Sequence, residues 1–208
     1  RRLDIGSMSD QPVKQTVAVI LAAGKGVRMQ SDLPKVLHPL AGRPLVNWVV
    51  NAVCKAGADR TIVVTGYGAD QVEACLPEGV ETVRQDQQLG TGHALMCARD
   101  SVLSTTPDCL IVLCGDAPLI RPETIRSLIA SVSEGADAAI LTFIAEPGHR
   151  YGRIIRNACG DVVRIVECKD ATDEELTVNE ANSGTYAFRA GLALECLDSL
   201  KNDNRQGE

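Results

Sequence analysis

The chain has 208 residues, 45% hydrophobic and 23% charged, with a formal net charge of −6. That apolar fraction excludes a globally disordered chain, and the acidic balance argues against a nucleic-acid-binding surface, which needs a basic excess. The longest apolar runs, such as Val17–Ala23 and Cys109–Cys114, are far too short to span a bilayer.

Residues 1–15 are polar, contain Met8 and hold no apolar segment of the length a secretory signal needs. They are expected to lie outside the fold as a tag or disordered N-terminus, leaving 16–208 as one domain. The eight cysteines (54, 75, 97, 109, 114, 159, 168 and 196) include no CxxC pair, and Cys97, Cys109 and Cys114 lie in apolar runs. Buried free thiols in a reducing cytoplasm are expected, and no zinc site.

Val17–Ala23 reads as a fully buried strand, followed by a loop from Gly24 to Pro39. Leu45, Val46, Val49, Val50 and Val53 recur at helical spacing, so a helix is expected there, ending near Gly57. Strands are then expected at Thr61–Thr65, Val80–Arg84, Cys109–Cys114 and Ala138–Ile144, with helices at Gln71–Leu76, Gly92–Val102 and Thr124–Val132 between them. This alternation implies a mostly parallel sheet with helices on both faces. The rhythm changes after Pro147: Arg153–Arg156 and Val162–Glu167 flank the turn-rich Asn157–Asp161, as in a hairpin. Thr172-Asp-Glu-Glu175 has the form of a capping box, Ser183–Arg189 is a further strand candidate and Leu192–Leu200 a helix. The fold class is α/β: a doubly wound, mostly parallel, Rossmann-like sheet with an antiparallel hairpin addition in the C-terminal third. There is no hexapeptide periodicity of a left-handed β-helix.

Ligands of open α/β sheets bind outside the carboxyl ends of the strands, so the loops that follow strands carry the chemistry. The first is Leu21-Ala22-Ala23-Gly24-Lys25-Gly26, running on to Arg28 and to Leu33-Pro34-Lys35. Small residues let backbone N–H groups approach a phosphate, and Lys25, Arg28 and Lys35 suit a triphosphate; the alternative is a basic surface loop. Neither this segment nor Gly66-x-Gly68 completes a dinucleotide fingerprint, and no GxxxxGK[ST] occurs. In the second, Gln85–His93, the Gln85 amide offers a base edge both donor and acceptor, and Gly90 and Gly92 admit a flat ring; the alternative is a polar loop with Thr91 as a helix cap. In the third, Asp116 follows a buried strand and offers a hard oxygen to Mg²⁺, unless it serves as a helix cap or turn former. In the fourth, Gly152, Glu167 and Asn182 suit sugar hydroxyls, against readings of Glu167 as a solvated charge and Asn182-Ser-Gly184 as a turn. No Ser/His/Asp order, GxSxG or HExxH is present, so positioned phosphates, cations and a metal fit the inventory better than a nucleophile.

LAAGKGxRM followed by PKVLHPLAGRPL resembles the signature of sugar-phosphate nucleotidyltransferases. QDQQLGTGHA, GDAPLI, YGRI, IVECKDATDEE and NEANSGTY, in that order, are similar more narrowly to the uridyltransferase domain of the bifunctional N-acetylglucosamine-1-phosphate uridyltransferases (the GlmU-like family). The resemblance covers Val17 to Glu208 and implies a Mg²⁺-dependent pyrophosphorylase that makes UDP-N-acetylglucosamine for the cell wall. Leu21, Ala22, Ala23 and Gly24 would hold UTP, Arg28 and Lys35 would neutralise its triphosphate, and Gln85, Gly90 and Thr91 would recognise uracil. Asp116 would bind Mg²⁺, Gly115 would contact substrate, and Gly152, Glu167 and Asn182 would contact the N-acetylglucosamine moiety. Residues 16–208 are thus expected to be a C-terminally truncated nucleotidyltransferase domain. The family's second metal-binding Asn and its acetyltransferase β-helix are expected beyond Glu208. The β-helix builds the family's trimer, so this chain is expected as a monomer. Val27 stands where the family usually has Thr, Cys168 where it commonly has His, and Ala181 and Ser183 are variant positions.

Overall fold

Alternation along the first strand decides the architecture. In the computed structural model, which describes residues 15–26, 29–197 and 199, Val17 and Val19 face one apolar cluster while Ala18 and Ile20 face another. All four are fully buried, as a central strand covered on both sides requires. Expectations for residues 1–14 and for Arg28 lie outside the described residues.

In chain order, β1 (Thr16–Leu21) is followed by a small hairpin of β2 (Pro39–Leu40) and β3 (Arg43–Pro44), then α1 (Leu45–Ala56), β4 (Arg60–Thr65), α2 (Ala69–Cys75) and β5 (Glu81–Arg84). Two short helices, α3 (Gly90–Cys97) and α4 (Arg99–Leu103), precede β6 (Cys109–Cys114), α5 (Pro122–Ser133) and β7 (Ala138–Ile144). The remainder comprises β8 (Arg153–Arg156), β9 (Val162–Val166), α6 (Asp173–Leu176), β10 (Glu180–Arg189) and α7 (Ala190–Leu197). The sheet runs β5-β4-β1-β6-β10-β8-β9, with β7 also paired to β10. The pairs β5–β4, β4–β1 and β1–β6 are parallel, and every pair involving β10 is antiparallel. No described helix is long and apolar enough to cross a membrane.

Local chemistry explains the boundaries. Helix α1 buries Val46, Val49, Val50 and Val53 and stops at Gly57, whose φ of 93° is the left-handed C-cap that glycine tolerates. Pro122 opens α5 at the position where its missing N–H costs nothing. Thr172 and Glu175 form the reciprocal capping box, Oγ1 accepting from the Glu175 N–H and the Glu175 carboxylate from the Thr172 N–H. The Asn157 carbonyl oxygen Oδ1 accepts from the Cys159 and Asp161 N–H groups, closing the β8–β9 hairpin turn.

Three expectations need correction. The helix expected from Gly92 to Val102 starts at Gly90 and breaks at Ala98, where the Ala98 N–H turns to the Leu95 carbonyl and the chain restarts as α4 with Val102 buried. The strand expected at Ser183 begins three residues earlier, at Glu180, and lies between β6 and β7. Its alternation was obscured by a bulge at Ser183–Gly184, which throws it out of period-2 register with β7. All eight cysteines are free, but only Cys109 is buried; Cys97 and Cys114 are partly exposed, and Cys54, Cys159 and Cys196 are exposed. Residues 198 and 200 of the expected last helix lie outside the described residues.

Candidate active site

The site begins where β1 leaves the sheet. The Ala22 N–H donates to the Val64 carbonyl (2.8 Å), the Tyr67 N–H to the Ala23 carbonyl (3.0 Å) and the Gly115 N–H to the Leu21 carbonyl (2.9 Å). Three loops are thereby pinned together over the carboxyl ends of β1, β4 and β6. Glycine permits the approach: a Cβ at Gly66 would lie 2.8 Å from the Ala23 Cβ, and one at Gly115 would lie 3.1 Å from the Leu21 carbonyl oxygen. A Cβ at Gly24 would meet nothing within 4 Å, so the backbone there faces open space.

Lys35 and Asp116 are joined by an ion pair, each side chain about a third exposed. The Lys35 stem is packed beneath Gly26, where a Cβ would fall 2.5 Å from the Lys35 Cβ. Asp116 is not a helix cap: Arg121 occupies the N-cap of α5, and the Asp116 carboxylate turns to Lys35 instead. Both residues line a cavity of about 610 Å³ with Leu21, Ala22, Gly24 and Met29. Among the described residues no group of three or more His, Cys, Asp or Glu side chains is gathered as a metal site. Lys25 lies elsewhere, its ammonium 5.1 Å from the centroid of the Tyr67 ring.

A second cavity, of about 270 Å³, adjoins the first through Leu21, Gly24 and Asp116 and is lined further by Ala23, Gln85, Gly90 and Thr91. Gln85 is buried at the end of β5, its N–H donating to the Thr65 carbonyl at 2.7 Å. Its Nε2 donates to the Gly90 carbonyl at 3.1 Å and lies 2.9 Å from Nδ1 of His93. Thr91 is no cap, since α3 has Leu89 at its N-cap and no side-chain cap bond. Gly90 has a φ of 93°, which places its backbone in a conformation that L side chains rarely adopt.

A third cavity, of about 700 Å³, opens between α3 and the β8–β10 strands and is lined by Thr91, Gly152, Glu167, Asn182, Tyr186 and Phe188 among others. Leu21 lines all three cavities, and Thr91 and Cys114 join the second to the third. Gly152 lets the Glu167 carboxylate lie against the backbone: a Cβ there would be 2.9 Å from Oε1. Asn182 holds the β10 bulge, Nδ2 donating to the Tyr186 hydroxyl (2.6 Å) and Oδ1 accepting from the Gly184 N–H (3.1 Å). Burial raises the Tyr186 hydroxyl above its ordinary range, so it stays protonated and keeps its own hydrogen to donate. Burial likewise pushes the Cys114 thiol up to about 11, aided by Asp116, so this cysteine is no nucleophile near neutrality.

Of the residues singled out in the sequence, neither Gly115 nor Lys25 is on these three walls, and Arg28 lies outside the described residues. The others line the crevice. Sequence reasoning missed Gly66 and Gly26, whose roles are close packing, and Tyr186, which looks like any strand aromatic until the bulge turns it to the third cavity. It also gave His93 no role. A Gln and a His eight positions apart were the only available signal, and a weak one.

The sequence matches the MobA-like NTP transferase domain family over residues 18–177. The chain belongs to that family. Within it, the NTP transferase domain is similar to the bifunctional protein GlmU of Exiguobacterium sibiricum, 48% identical over 192 residues, which is 92% of this chain and 42% of that protein. GlmU of Geobacter metallireducens is 48% identical over 194 residues, 92% of this chain and 40% of that protein. GlmU of Caldanaerobacter subterraneus is 45% identical over 197 residues, 94% of this chain and 43% of that protein. The chain thus spans less than half the length of the relatives it matches.

Proposed function

We propose that this NTP transferase domain transfers a uridylyl group from UTP to N-acetylglucosamine 1-phosphate, giving UDP-N-acetylglucosamine and pyrophosphate. The observation that carries the reading is the place of Asp116 and its Lys35 partner. Asp116 lines both the glycine-loop cavity and the cavity around Gln85, where the phosphates and the base of one nucleotide would meet.

A phosphate oxygen of the sugar phosphate attacks the α-phosphorus of UTP, and the bond to the bridging oxygen of the β-phosphate breaks as pyrophosphate leaves. The attacking oxygen is already ionised near neutrality, so no general base is needed. The backbone at Gly24 faces the nucleotide, and the Lys35 ammonium offsets charge on its phosphates. Gln85 and Gly90 bound the base, while Glu167, Gly152 and the Asn182–Tyr186 pair face the sugar. Among the described residues Asp116 is not gathered with two further His, Cys, Asp or Glu side chains, which fits a Mg²⁺ ion shared with substrate phosphates. Asp116 would hold that ion, which supplies charge neutralisation to the phosphates when bound.

Pyrophosphate release from UTP, N-acetylglucosamine 1-phosphate and Mg²⁺, with each component omitted in turn, tests the proposal. Release that requires all three is expected. Release with another sugar phosphate or another NTP at a higher kcat/KM would replace the substrate assignment. Gly152→Ala is expected to raise KM for the sugar phosphate about tenfold, because its Cβ displaces the Glu167 carboxylate. KM for UTP should change little, and an equal rise in both would move Gly152 out of the sugar subsite.

A further inference from the structure

The orientation of the Gln85 amide is fixed from one side. The Gly90 carbonyl can only accept, which assigns the amide nitrogen, not the oxygen, to the position 3.1 Å away. With nitrogen there, His93 Nδ1 at 2.9 Å must accept as well, and the neutral ring carries its proton on Nε2. The Cys97 sulfur stands 4.0 Å from both ring nitrogens, at the outer limit for a sulfur hydrogen bond and much farther than the Gln85 nitrogen. Both amide hydrogens are thereby committed, and Oε1 is the atom left for a ligand in the cavity that Gln85 lines.

This has a chemical sign. The ring N3 of uracil carries a hydrogen, whereas N3 of cytosine is an acceptor. A lone acceptor held at that edge bonds the first and repels the second. A freely turning glutamine would serve both, because rotation of its terminal group exchanges oxygen for nitrogen. We propose that His93 is a positioning residue for base selection: it holds the Gln85 amide with Oε1 toward the nucleotide, so that the site favours uracil over cytosine. The inference rests on the uridine nucleotide reading above and adds the residue that enforces it.

Calorimetric titration of UTP and of CTP, each with Mg²⁺, into the wild-type chain and two His93 variants provides the test. The wild type should bind UTP more tightly than CTP. His93→Leu should lower that Kd ratio about fivefold, the effect of one neutral hydrogen bond. His93→Asn should restore most of it, because Asn Oδ1 stands about where Nδ1 does and also accepts. If His93→Leu does not fold, His93→Ala gives the same comparison. An unchanged ratio in the acceptor-free variant, or a loss in His93→Asn as full as in His93→Leu, overturns the proposal. Failure of the wild type to prefer UTP defeats the uridine reading itself.

Discussion

Replacing Asp116 by alanine should reduce pyrophosphate release by two to three orders of magnitude, on the order expected when one preorganised charge is removed from a phosphoryl-transfer site. The carboxylate lies in a turn after β6, makes no cap and is partly exposed, so the fold does not depend on it. Partly exposed ion pairs contribute between zero and about 1 kcal/mol, and the thermal midpoint should move by only a few degrees. The two readouts separate chemistry from structure. Raising the Mg²⁺ concentration should recover part of the lost rate, since the defect is in holding the ion. A variant that turns over within tenfold of wild type at ordinary Mg²⁺ concentrations would remove Asp116 from the mechanism.

Lys35→Met is expected to cause a loss of similar size, on the order of 100-fold in kcat/KM for UTP, by a different route. Methionine keeps the stem that packs under Gly26 and removes only the ammonium. Asp116 then loses its ion-pair partner in a cavity meant for phosphates. The rate should therefore not respond to added Mg²⁺ as the Asp116 variant does. Recovery at high Mg²⁺ to the same extent in both variants would mean that Lys35 serves only to neutralise Asp116, not the nucleotide.

The layout of the sheet was legible because its strands declare themselves twice. Cys109–Cys114 is apolar throughout, as a strand covered on both faces must be, and the helical spacing of Val46, Val49, Val50 and Val53 leaves α1 no other reading. The glycine-rich loop, Gln85 and Asp116 were legible for a related reason: each follows a strand, and in such sheets that position is the crevice. What stayed hidden depended on pairing across long stretches of chain. The residue that the Asp116 carboxylate would choose could not be read locally, since Asp116 is followed by Pro118 and so looks like a turn former. Its partner Lys35 is 81 positions away. The bulge at Ser183–Gly184 erased the alternation that would have announced the start of β10, and Asn182 therefore looked like part of a turn. His93 acquires its meaning only from the Gln85 nitrogen across the loop.

The place of β10 also governs the order in which the molecule can be assembled. It forms from residues 180–189 yet lies between β6, which ends at Cys114, and β7, which ends at Ile144. A chain emerging from the ribosome completes β1, β4, β5 and β6 from neighbouring segments and then carries β6 with one open edge across more than sixty further residues. Such an edge is a template for pairing with another chain. Closure by a distant strand is a slow, non-local step. During synthesis the half that would hold the nucleotide is the early-forming one, and the strand carrying Asn182 and Tyr186 is the late arrival that both closes the sheet and completes the third cavity.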